Sequence, residues 1–146
     1  MTTALATTVT AGLVASTALP PDRHPAAVYV ASLTSPNSRK GMRAALDTAA
    51  KTMSGGAMKA AELDWAVVRF QHVAALRAAL LDRLAPATVN AVLAAVRGTA
   101  KAAWSLGYID ADTLAKIKDG ARSVKNERLP AGRSLGQGEL RAMFDV

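Results

Sequence analysis

The sequence predicts an all-α domain, and three observations carry that prediction. Alanine dominates a chain that is 51% hydrophobic but only 4% aromatic. Runs of Val, Ile, Thr and Tyr long enough to make strands are nearly missing between residues 24 and 125. In the same stretch apolar residues recur at spacings of three and four, the period of a helix with one buried face. The 146 residues hold one compact domain of roughly 100 residues with a tail at each end. The expected organisation is a flexible N-terminal tail (1–22), a bundle of four to five helices (23–120), a basic linker (121–134) and the start of a further domain (135–146).

Pro25 suits a first helical position, and Ala26 to Leu33 then reads as a short helix offering Val28, Tyr29 and Leu33 to a core. The segment Thr34-Ser35-Pro36-Asn37-Ser38 is rich in capping side chains. A second helix, about 37–53, follows, with Met42, Leu46, Ala49, Ala50 and Met53 on one face. Lys40, Arg43 and Lys51 project from the other side, with Asp47 as the acid among them. Ser54-Gly55-Gly56 ends this helix. Residues 57–71 have mixed periodicity and read as a connector holding one helical turn anchored by Trp65.

The helical period returns at Val73, Leu76, Leu80 and Leu84, a third helix of about 72–84 with Leu81 at its edge. Pro86-Ala87-Thr88 starts the longest element, with Val89, Val92, Leu93, Val96, Ala100, Ala103 and Trp104 facing inward. Gly107 stands where a left-handed C-terminal residue belongs, and Tyr108 and Ile109 are placed to fold back. Asn90, Arg97 and Lys101 lie within about 20° of one line on this helix, a second polar and cationic stripe. Asp110 or Asp112 caps a fifth helix that turns Leu114 and Ile117 inward and ends at Gly120.

Eighteen Lys and Arg against eleven Asp and Glu give a net charge of +7, a balance that favours polyanions and makes nucleic acid the leading partner. Zero cysteines and two separated histidines offer no disulfide, no thiolate site and no zinc cluster, and nothing in the chain calls for a cofactor. Met1 to Pro21 is uncharged and Ala/Thr/Val-rich, but it lacks the basic opening of a secretory signal, and its apolar stretch is broken by threonines and serines. No run reaches the ~18 apolar residues of a membrane span. A reducing cytoplasmic setting fits the absence of cysteine.

Both stripes suit a phosphate backbone. At the second helix, Lys40, Arg43 and Lys51 combine with a polar N-terminus at Asn37 and Ser38. At the fourth, Thr88, Asn90, Arg97 and Lys101 combine cations with an amide able to pair with adenine in a major groove. Lys125, Arg128 and Arg133 extend the basic surface into the linker. The plain alternative for each stripe is a solvated helix face. Trp65 and Trp104 sit among apolar neighbours and are expected in the core; His72 and His24 are expected as capping or surface histidines. Glu62 and Asp64 have no histidine or glycine loop near them for acid–base chemistry, and no nucleotide, hydrolase or metalloprotease motif is present.

The segments Trp65 to Leu80, Leu84 to Gly98 and Ala103 to Ile109, in that order, resemble the N-terminal core-binding domain of tyrosine recombinases, the phage integrase and Xer-type proteins. Leu129 to Phe144 is similar to that family's junction into its catalytic domain, and Ser134 to Phe144 reads as the opening helix of a domain cut short. The resemblance covers about residues 24–146. It implies a SAM-like helical module that closes over one face of a recombination-site duplex, alongside other protomers of the same recombinase. It maps the family's DNA-contacting pattern of a hydroxyl residue and two bases onto Ser38, Arg39, Lys40 and Arg43, and its second DNA-facing helix onto Thr88, Asn90 and Arg97, with Lys101 one turn on. The family cuts and rejoins DNA through a tyrosine nucleophile, a lysine, arginines and an HxxR histidine in its C-terminal domain. Here the two tyrosines, Tyr29 and Tyr108, lie in the helical module, and neither His24 nor His72 begins an HxxR. The chain by itself is therefore expected to bind double-stranded DNA, not to cut it. The rival expectations are a helix-turn-helix regulator and a helical protein-interaction domain.

Overall fold

A computed structural model describes residues 19–125, in which five α-helices and two short 3-10 turns are joined by brief connections and no strand occurs. We label the helices α1 (Pro25–Ala31), α2 (Pro36–Met53), α3 (Phe70–Leu81), α4 (Pro86–Ser105) and α5 (Ala111–Gly120). The all-α expectation holds. Residues 1–18 and 126–146, and with them the expected N-terminal tail up to Ala18, Arg128, Arg133 and the opening helix at 135–146, lie outside the described residues.

The helix ends follow the local chemistry. Proline opens α1, α2 and α4, where a missing N–H leaves no helical bond unmade. The Ser35 hydroxyl accepts the Ser38 N–H at 3.4 Å, and Asp110, not Asp112, caps α5 by accepting the Thr113 N–H at 2.8 Å. At the far end of α4, Gly107 takes φ 85°. Its N–H donates to Trp104 O at 3.0 Å, and the Tyr108 N–H donates to Ala103 O at 2.9 Å, which together complete a Schellman turn. Helix α3 runs 70–81 rather than 72–84. His72 Nδ1 accepts the Arg69 N–H at 2.9 Å and pulls the start two residues earlier.

Helix α4 is the axis of the molecule: α1, α2, α3, α5 and the turn Trp65–Val67 all pack on it. Val89, Val92, Leu93, Val96, Ala100 and Ala103 are buried as expected, together with Ala95, Thr99 and Ala102. Leu46, Ala49, Ala50 and Met53 bring in α2, Val73, Leu76 and Leu80 bring in α3, and Leu114 and Ile117 bring in α5. The expectations for α1 and for Trp104 change here. In α1 it is Ala26 and Val30 that are buried, with Tyr29 partly covered and Val28 and Leu33 at the margin. A Cβ at Gly98 would overlap the Tyr29 ring, so α1 approaches α4 where a side chain is missing, and that contact sets its phase.

Trp104 is 43% exposed rather than in the core. It stands at the margin of the apolar arc in the last turn of the longest helix, where neighbouring elements no longer cover it. His72 caps α3 but is buried, 5% exposed, not at the surface. His24 occupies the N-cap position of α1 without a capping bond from its ring; it is buried, 6% exposed, and its Nε2 lies 3.1 Å from Ala61 O. The connector is as expected in outline, with one 3-10 turn and a buried Trp65 whose Nε1 donates to Ala60 O at 2.9 Å. Among the described residues, no helix is long and apolar enough to cross a membrane.

Candidate nucleic-acid interface

The fifteen Lys and Arg and eight Asp and Glu between residues 19 and 125 carry the chain's whole net charge of +7. Helix α2 concentrates part of that charge on one side. Its buried face fixes Lys40, Arg43 and Lys51 outward, and all three are exposed. The one carboxylate in this row, Asp47, accepts the Ala60 N–H at 3.0 Å instead of pairing with Arg43 or Lys51 one turn away. Among the described residues the single salt bridge is Asp112–Lys116 on α5, at 3.0 Å. The α2 cations therefore face solvent without a carboxylate partner there, and their field is uncancelled.

Ser38 is exposed at the start of the same helix. Arg39 is half-buried, and its Nη1 donates to Leu33 O at 2.7 Å, which ties the turn between α1 and α2. A guanidinium has five donors, so this anchoring leaves Arg39 others to offer. Beside Arg39 and Arg43 opens a cleft of about 780 Å³ between α1, α2 and the 59–61 turn, floored by Ala26, Val30 and Leu46.

The α4 stripe is arranged differently. Thr88 and Lys101 are exposed, but Asn90 and Arg97 are half-buried under residues 121–125. Asn90 Oδ1 accepts the Val124 N–H at 2.6 Å and its Nδ2 donates to Val124 O at 3.0 Å. Arg97 Nη1 donates to Ala121 O at 2.5 Å. From α3, Arg77 donates through Nε to Arg122 O at 3.0 Å and through Nη2 to Ser123 O at 3.4 Å. The amide expected to face adenine is thus engaged at both ends by backbone, and the segment expected to run free from residue 121 is tied down as far as Val124. Lys125 is exposed just beyond it.

Sequence reasoning did not single out Arg77, because its carbonyl partners lie 45 and 46 residues on. Nor did it place Trp104 on the surface one turn from Lys101, although its position at the edge of the wheel was a usable sign.

The titratable groups are those of a framework. Glu62 Oε1 accepts the Lys59 N–H at 2.8 Å and Asp64 Oδ1 accepts the Ala66 N–H at 3.1 Å, so both carboxylates close turns. Tyr108 Oη donates to Arg23 O at 2.8 Å. Burial raises the Tyr29 phenol above its ordinary value, and the nearby Arg97 guanidinium partly opposes that. The capping bonds from Thr113 hold Asp110 below the usual carboxylate value. Among the described residues no three His, Asp or Glu come together as a metal site. In comparisons with known proteins, no family model, no curated protein and no solved structure matches this chain.

Proposed function

We propose that the chain is a duplex-DNA-binding module, the SAM-like core-binding domain of a tyrosine-type site-specific recombinase or integrase. It grips the recombination site, while the cutting and rejoining through a 3′-phosphotyrosyl bond belong to the longer protein of which it would be the front part. The observation that carries the reading is the row Lys40, Arg43 and Lys51 on α2, exposed and without a carboxylate partner among the described residues. Cations held outward by a buried opposite face suit a regularly spaced row of phosphates, and the neighbouring helix start adds Ser38. Lys101 and Thr88 on α4, and Lys125 beyond α5, are the remaining exposed members of the surface.

Anisotropy of a fluorescein-labelled duplex of about 30 base pairs at low salt tests this reading. Arg43→Ala is expected to weaken binding by about 1 to 3 kcal/mol and Arg23→Ala to change it little. Equal losses from both would mean unselective charge attraction, and no binding at low salt would leave a helical protein-interaction domain with solvated basic faces.

A further inference from the structure

Resting on the duplex-binding reading, we propose that Arg77, Asn90 and Arg97 are positioning residues for Lys125: they hold 121–124 as a strap and so fix the point from which Lys125 reaches a phosphate. The spacing supports this. Arg97 and Asn90 are seven residues apart on α4, about 10.5 Å along a helix. Their backbone partners, Ala121 at the C-cap of α5 and Val124, are three residues apart and are met in the opposite order. The strap therefore runs back along α4, from Arg97 in its middle to Asn90 in its second turn, with Arg77 of α3 holding Arg122 and Ser123 between.

The anchors are not interchangeable with simple charge. Asn90 both accepts from and donates to Val124, as a neighbouring strand would, and only a neutral amide offers both functions at that length. Ala121 is fully buried and Val124 packs on the core, so the strap is held by contacts as well as by hydrogen bonds. The chain therefore leaves these anchors at Val124, beside Asn90 in the second turn of α4, with exposed Lys125 as the next residue.

The test combines amide hydrogen exchange and duplex anisotropy on the full chain. Asn90→Ala should speed exchange of the Val124 amide at least about tenfold while the Leu93 and Val96 amides keep their rates. Asn90→Asp, which retains the acceptor and loses the donor, should fall between. Lys125→Ala should weaken duplex binding about threefold to tenfold in the parent chain, and by less than twofold once Asn90→Ala has released the strap. An unchanged Val124 rate in Asn90→Ala would overturn the strap. An undiminished Lys125→Ala effect in that background would overturn the positioning role and leave duplex binding standing. A parent chain that protects Val124 but binds no duplex would overturn the duplex-binding reading, and the positioning role with it.

Discussion

At Gly98 the missing side chain decides how α1 packs. A Cβ there would overlap the Tyr29 ring, and a ring wedged between two helices has little freedom to retreat. Gly98→Ala gains up to about 1 kcal/mol in helix propensity but incurs an overlap of about 1 to 3 kcal/mol, so we expect a net loss in urea unfolding. In a Tyr29→Ala background the same substitution should stabilise the chain, because only the propensity term remains. Tyr29 also titrates with the fold. Its phenol is raised by burial, so its stabilising contribution is complete below the ordinary tyrosine value near 10 and is lost as pH rises through the folded value. Tyr29→Phe should flatten that alkaline loss in a stability–pH profile. Thr99 is fully buried on α4 with a hydroxyl that bonds to no protein group. Thr99→Val, which swaps that hydroxyl for a methyl, should raise stability by about 1 kcal/mol.

Among the elements, those with strong periodicity and strong punctuation were legible in the sequence. Helices α2, α4 and α5 carry apolar residues at fixed spacing between a proline or aspartate start and a glycine stop, and their buried faces follow that spacing except at Trp104. Gly107 adopts the left-handed conformation its position demanded, and Gly107→Ala is expected to cost about 1 kcal/mol in thermal unfolding. Asp110 was one of two possible caps, and only geometry separated it from Asp112. Its depressed acidity means that the cap acts above the ordinary aspartate value near 3.9 and fails as pH falls through the lower folded value. Asp110→Asn should therefore retain most of the α5 helicity by circular dichroism and remove that acid-side loss.

What was not legible were contacts between residues distant in sequence. His24 meets Ala61 across 37 positions, and Asn90 meets Val124 across 34. A helical wheel shows which residues share a line and is silent on what covers the line. The α4 stripe of Asn90 and Arg97 therefore read as open surface, although the strap lies over it. The cations of α2 were legible because nothing but solvent is needed to explain where they point.

For the whole molecule, four helices around α4 leave a charge of +7 on one small domain, with half of its eight carboxylates engaged in caps and turns. Such a body repels its own kind and attracts polyanions before any specific contact forms. In the proposed function that attraction has a geometry, with α2 and the free part of α4 set against a duplex. The salt dependence of duplex binding tests this most directly. With six to eight phosphate contacts from Lys and Arg, affinity should fall by about three to four decades between 50 and 200 mM salt, in a straight line of log Kd against log salt concentration. A slope near zero over that range would contradict the account.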